Sequence, residues 1–179
     1  MSTADANTPD AVEVTTWHLE ITDRDTLPPT KPPQVEADLV VAERPTVAFA
    51  RWLYRYVGEA WYWLDRHAWT DEQWAEQLVE PGYHHVTCMV GGTPAGYVEY
   101  ANIDGDVEIR YFGLATDVHG QGLGGWFLAK AIEHGFSLEN AHRVWLHTCS
   151  LDGPNAKANY EARGFRLFDT AVEWRVLPD

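Results

Sequence analysis

Hydrophobic and polar positions change their period several times along the 179 residues, and each change marks an element. From His84 to Leu114 the chain alternates in three runs, His84–Val90, Pro94–Tyr100 and Val107–Leu114, separated by Gly91-Gly92 and by Asp104-Gly105. Alternation over such lengths predicts strands, and an Asp-Gly pair between two of them predicts a tight hairpin, so a meander of three antiparallel strands is expected. Trp126, Phe127, Leu128 and Ile132 then recur at helical spacing, which predicts a helix from Gly122 to Leu138. Arg143–Cys149 reads as a further strand. Pro154 opens a short helix that Gly164 stops, and Phe165–Phe168 and Ala171–Val176 read as two closing strands.

Upstream the pattern is sparser. Residues 1–13 show no periodic apolar face and read as disordered, Trp17–Ile21 alternates like a half-buried strand, and Pro28-Pro29 and Pro32-Pro33 bracket an extended linker. Leu39–Ala42 predicts a second short strand. Phe49, Leu53, Tyr56 and Val57 predict a helix that starts at Pro45 and stops at Gly58, and Thr70 is placed to cap another that runs to Val79. Between these helices lies the most aromatic stretch, Trp61–Trp69. Its rings beside Asp65-Arg66 would either wall a substrate pocket or pack a core around an ion pair. Tyr54, Trp61, Trp63 and Asp65 are the candidates for the pocket.

Composition narrows the class. The length suits one domain with a substantial core, and 45% hydrophobic residues with nine Trp agree with a globule. A net charge of -14, with 13 Lys and Arg spread along the chain, argues against nucleic acid and favours a cationic small-molecule partner, or serves solubility alone. Cys88 and Cys149 sit in apolar runs, as a reduced pair in a cytoplasmic protein would, with a disulfide left open. Met1–Asp10 lacks the pattern of a signal peptide, and no apolar run approaches the roughly 20 residues needed to cross a bilayer. The expectation is a cytoplasmic protein with no membrane or metal partner; a homodimer is left open.

The candidate chemistry begins at His119-Gly120-Gln121-Gly122-Leu123-Gly124-Gly125, a glycine-dense loop between a strand and a helix. Bare glycines and a helix N-terminus together point backbone N–H groups at an anion. Gly120, Gly122 and Gly125 formally satisfy the dinucleotide pattern G-x-G-x-x-G, but the strands before them are antiparallel hairpins rather than a βαβ unit. A P-loop would need Lys-Ser/Thr where Gly125-Trp126 stands.

Strand meander, glycine loop on a helix, strand, and a short helix with Tyr160 before Gly164-Phe165 resemble the GNAT superfamily of N-acetyltransferases over residues 38–179. The loop is similar to the superfamily's Arg/Gln-x-x-Gly-x-Gly/Ala, with His119 departing at the first position. Leu151–Ala156, Tyr160 and Gly164-Phe165 resemble its second block, Asn-x-x-Ala-x-x-x-Tyr-x-x-x-Gly-Phe. The aromatic run from Tyr54 to Trp69 looks like an uncharacterised bacterial branch. The resemblance implies a mixed α/β fold: a bent, mostly antiparallel sheet of about seven strands with four helices and one extra N-terminal strand. Residues 1–37 would then be an arm carrying that strand and the Pro-rich linker, and 38–179 the acetyltransferase domain.

It also implies an acetyl-CoA-dependent transfer to a primary amine by direct attack in a ternary complex, neither cysteine lying where an acyl carrier is expected. The competing reading is a CoA-binding regulatory or assembly module without chemistry. Gly120, Gln121, Gly122, Gly124 and Gly125 would take the pyrophosphate, with His119 at the loop's start. Phe112 and Leu114 would pair with the pantetheine amides, Leu114 N–H also holding the thioester oxygen, and Asn155 would reach the pantetheine arm or stand idle in a first helical turn. Glu108 matches the position of a catalytic glutamate, although alternation places Arg110 and Phe112 on its face, where Arg110 would pair with it. Tyr160 matches the tyrosine that protonates the departing thiolate, or packs beside Phe165. Glu99 offers a second carboxylate or an exposed edge charge, and His147 a proton relay or a hydrogen-bonded core residue.

Overall fold

The computed structural model describes residues 2–4, 8–59, 61 and 63–177. Its strands are β1 (Ser2–Ala4), β2 (Ala11–Ile21), β3 (Ala37–Val41), β4 (Tyr83–Val90), β5 (Thr93–Ile103), β6 (Asp106–Leu114), β7 (Arg143–Cys149) and β8 (Arg166–Val176). The helices are α1 (Val47–Gly58), α2 (Asp71–Leu78), α3 (Leu123–Gly135) and α4 (Ala156–Glu161). All eight strands form one sheet in the order β1-β8-β2-β7-β6-β5-β4-β3. Every pairing is antiparallel except β6 with β7, which α3 connects as a crossover. This is the mixed, mostly antiparallel architecture that the resemblance implies.

Local chemistry sets the helix starts. Thr46 caps α1 through the Phe49 N–H, and Thr70 and Gln73 form a reciprocal capping box at α2. α3 packs its apolar side, Phe127, Leu128 and Ile132, onto one face of the sheet among Leu19, Val98, Tyr100, Val107, Ile109, Val144 and Leu146. On the opposite face Leu53 and Val57 of α1 meet Tyr97, and Tyr54 meets Trp74 of α2.

Two expectations are corrected. The stretch 1–13 is not unstructured throughout: Ser2–Ala4 pairs with β8, and β2 begins at Ala11 with Val14 fully buried, while Met1 and residues 5–7 lie outside the described residues. Small and polar residues dominate that segment, which leaves no apolar period to detect. The two closing strands are one, β8, because Asp169-Thr170, which reads as a turn, is carried through a register shift against β2 that leaves Phe168 unpaired. β2 lies between β7 and β8, with Leu19 and Ile21 in the core.

Two irregularities open the sheet at its centre. Parallel pairing of β6 with β7 runs only from Asp106–Arg143 to Ile109–Leu146, and beyond it the strands separate. At the same level β6 is bulged: Tyr100 pairs with Ile109 and Glu99 with Tyr111, so Arg110 has no partner on β5.

Candidate active site

A cleft of about 1610 Å³ follows the separation of β6 and β7 from the glycine loop at one end to the α1–α2 aromatic segment at the other. The loop geometry follows from its glycines. Gly120 and Gly122 have φ of 79° and 70°, and Gly122 caps α3 in the left-handed region with no side-chain bond to the first turn. The first N–H groups of α3 therefore lack protein caps, and Gly122, Leu123, Gly124 and Gly125 line the cleft. A Cβ at Gly125 would stand 2.5 Å from the Arg163 guanidinium, so glycine there admits the arginine beside the loop. Lys31 of the N-terminal linker lines the same end, where Gln34 N–H donates to the Gln121 carbonyl at 3.3 Å. These residues fit a polyphosphate: uncapped helix N–H groups beside two cations that form no ion pair with a described residue.

Backbone on β6 completes the channel. Ala115 N–H donates to the Ala95 carbonyl, and strand alternation then turns the N–H and C=O groups of Leu114 and Phe112 away from β5 into the gap. His119, the departure at the loop's first position, places Nε2 3.2 Å from the Leu114 carbonyl. A carbonyl only accepts, so Nε2 carries the proton and the ring ties the loop to the strand end. The Leu114 N–H is left for a ligand. Asn155 caps α4 without a side-chain bond and lines the cleft, as does Tyr160. The Tyr160 ring packs edge-on against Phe165, while its hydroxyl makes no hydrogen bond to a described residue. Burial and then the nearby Asp152 charge push that phenol up, which keeps it protonated and able to donate.

The opposite end is acidic and aromatic. Glu108 points into the cleft, with Oε2 3.4 Å from Arg110 Nε and Oε1 3.7 Å from His147 Nδ1. Arg110 is held chiefly by Glu80, at 2.6 and 3.3 Å, and this bond lowers the Glu80 pKa and raises that of Arg110. Phe112 does not share the Glu108 face: the bulge at Arg110 returns it to the α3 side, where it meets Phe127 at 4.9 Å. Trp63 lines the wall and packs over Gly113, whose missing Cβ makes room for it, whereas Trp61 stands at the loop side of the cleft, its ring 6.0 Å from that of His119 and against Gly153. Asp65 also lines it, accepting from the hydroxyls of Tyr54 and Tyr111 and pairing with no described cation.

Three predicted site residues are placed elsewhere. Tyr54 is 1% exposed and supports Asp65 from behind instead of lining the pocket. Glu99 is neither an edge charge nor a substrate carboxylate: it is 1% exposed and takes both arms of Arg66, at 2.7 and 2.8 Å. The Asp65-Arg66 ion pair does not form, because Arg66 turns inward to Glu99 between the faces of Tyr111 and Trp69. Gln121 is not part of the cleft wall; its carbonyl holds Gln34 and its amide reaches Asp117. His147 is half exposed in the wall.

Arg163, Lys31 and Cys149 were not anticipated as wall residues. Arg163 stands inside the second motif, one residue before Gly164, where its charge was the available signal; Lys31 belongs to the linker, whose return over the loop leaves no periodic trace. Cys149 lies past the point where β7 leaves β6, and burial with the Asp152 charge pushes its thiol up, away from the nucleophilic thiolate. At the acidic end Asp65, Glu80 and Glu108 face Arg110, an excess of two negative charges with Arg66 neutralised by Glu99. The described residues contain no group of three or more His, Cys, Asp or Glu able to hold a metal, and no helix long and apolar enough to cross a membrane.

No curated protein matches the chain. Among solved structures it is similar to a GCN5-related N-acetyltransferase from Kribbella flavida, at 23% identity and TM-score 0.62 over 92% of this chain and 59% of that one. A GCN5-related N-acetyltransferase from Sphaerobacter thermophilus gives 17% and 0.64 over 92% and 52%. An acetyltransferase from Thermus thermophilus gives 18% and 0.57 over 80% and 99%. The chain thus spans 59% and 52% of the first two, and likeness at these identities speaks for the fold alone. The profile of the acetyltransferase (GNAT) family matches residues 47–165, a stretch that holds both motif blocks and the separated strands. By that match the chain belongs to the GNAT acetyltransferase family.

Proposed function

We propose that the protein transfers an acetyl group from acetyl-CoA to the primary amine of a small cationic molecule, by direct attack within a ternary complex. The observation that carries this reading is the separation of β6 from β7 directly below the glycine loop, with the N–H groups of Phe112 and Leu114 turned into it. A thioester lying in that channel would have its carbonyl oxygen at the Leu114 N–H, a donor aimed where negative charge develops during attack. Its phosphates would meet the α3 N-terminus, Arg163 and Lys31. The opposite charges of the two ends sort the two substrates, anionic toward the loop and cationic toward Asp65 and Glu108.

The amine must lose a proton before it can attack. At pH 7 this costs an alkylamine about 4–5 kcal/mol, so a base within reach is valuable. Glu108 supplies the negative charge that draws the proton off, directly or through an intervening group. On the far side Tyr160, its hydroxyl without a hydrogen bond to a described residue, delivers a proton to the departing thiolate. The raised thiol of Cys149 supports direct attack over an acyl-cysteine route.

Calorimetry with acetyl-CoA, followed by thiol-release assays on a panel of primary amines, tests the proposal. Binding with acetylation of cationic amines is expected. Tight CoA binding without acetylation of any amine would overturn it in favour of a binding module.

A further inference from the structure

Glu108 and His147 face each other across the mouth of the gap, and the register explains why. Parallel pairing sets Glu108 beside Trp145 and ends at Ile109 and Leu146, so His147 is the first β7 residue beyond the last pair, on the same face as Trp145. The carboxylate Oε1 stands 3.7 Å from Nδ1, an ion-pair distance just outside hydrogen-bond reach. Glu108 is largely buried and His147 half exposed. A ring whose Nδ1 edge faces a carboxylate carries Nε2 on its other side, and here Nε2 has no partner among the described residues. Catalytic hydrogen bonds of this kind are commonly long without substrate and tighten when it binds.

Resting on the acetyl-transfer reading above, we propose that His147 is the catalytic residue that takes the proton from the amine, and that Glu108 is a positioning residue that orients the ring and stabilises its charged form. The N–H bond of the bound ammonium breaks and its proton goes to Nε2. The freed lone pair forms the C–N bond at the thioester carbonyl carbon, and the C–S bond breaks as the tetrahedral adduct collapses. Of the two protons the nitrogen has then lost, one leaves through His147 to solvent. The other replaces the proton that Tyr160 gives to sulfur.

The surroundings leave this pair intact. On β6 Arg110 touches the other oxygen of Glu108 but is engaged by Glu80 of the α2–β4 segment. On β2 His18 lies opposite His147 in register, with ring centres 6.0 Å apart, and itself stands 3.9 Å from Asp169 of β8. Glu173 and Arg175 of β8 pair with each other in the cleft wall. Among the described residues Glu108 is the one carboxylate within ion-pair distance of the His147 ring.

The test uses the full chain, acetyl-CoA, and the amine from a panel of diamines and arylalkylamines that the native protein acetylates fastest. His147→Ala is expected to lose about 10²-fold in kcat with little change in KM, and added imidazole to restore at least ~10-fold. Glu108→Gln, which keeps an acceptor beside Nδ1 but loses the charge that stabilises the imidazolium, is expected to lower kcat about 10-fold with KM little changed, and the double variant to be no slower than His147→Ala alone. Calorimetry should show both single variants binding acetyl-CoA as the native protein does. Near-native turnover of His147→Ala would overturn the assignment and leave acetyl transfer standing. So would a His147→Ala loss that imidazole does not restore and that Glu108→Gln deepens further. A native protein that binds acetyl-CoA and acetylates nothing overturns both.

Discussion

The Arg66–Glu99 pair behind the acceptor wall gives the sharpest stability prediction. Both side chains are almost fully buried, at 4% and 2% exposure, and the two bonds are 2.8 and 2.7 Å long. Burial alone pulls the Arg66 pKa down, and the hydrogen bonds and charge of Glu99 more than offset it, so the guanidinium stays charged in the interior. Glu99→Gln keeps the shape and one acceptor but removes the charge, leaving a buried cation without its counter-ion. Such a loss costs about 3–5 kcal/mol, and the residual amide contact places this case near ~3. Urea unfolding with a slope of about 2 kcal/mol/M would then shift its midpoint by ~1.5 M. Replacing both partners with apolar residues, Arg66→Met with Glu99→Leu, should recover most of the loss, because neither charge is then stranded. A midpoint shift below ~0.3 M in Glu99→Gln would refute the reasoning, as would a double variant less stable than the single one.

Four further outcomes are expected. His85, 1% exposed and stacked on Tyr97, is pushed down to about 4 by burial, so the unfolded chain binds its proton first. That stability is full above the ordinary value of 6.5 and is lost as pH falls toward 4, by about 3 kcal/mol; His84 and His134, also lowered by burial, act in the same direction, and a His85→Phe variant with an equally steep loss in pH-dependent melting would contradict this. Gly125→Ala displaces the Arg163 guanidinium and should weaken acetyl-CoA binding about 10-fold by calorimetry, with the melting temperature little changed. Cys149→Ser should keep turnover within about 3-fold, since a thiol whose pKa is raised is no acyl carrier; abolished activity in a folded variant would speak for one. Leu19→Ala, at a fully buried position on β2, should cost about 2–5 kcal/mol, and a loss under ~1 in denaturant titration would show that β2 is dispensable to the core.

Sequence periodicity reached the meander, α3 and the cap residues because each is local: an Asp-Gly hairpin, a helical stripe, a threonine three residues ahead of its donor. It reached the glycine loop for the same reason. The partners of charged residues were out of reach, since these are choices between groups distant along the chain. Arg66 stands beside Asp65 in sequence yet pairs with Glu99, 33 residues away, and Arg110 takes Glu80 ahead of Glu108, two residues off. The place of β2 was hidden likewise: its alternation marks a strand but not that its neighbours are β7 and β8. His119 reads as a flaw in a motif until the Leu114 carbonyl is seen beside it.

The bulge at Arg110 shows how a single residue links these levels. Strict alternation from Glu108 would send Tyr111 to the α3 face and Phe112 to the acceptor face. The extra residue reverses both, so Tyr111 lies over Arg66 and donates to Asp65, while Phe112 joins Phe127 in the core. It also falls where pairing with β7 stops, and the added local twist of a bulge helps β6 turn away from its neighbour. Opening the gap, aiming the Leu114 N–H into it and building the aromatic wall beyond it are therefore not three separate adaptations. They follow from one unpaired position in one strand, and Glu108, immediately before it on the still-paired part of β6, is left at the junction where cofactor channel and acceptor wall meet.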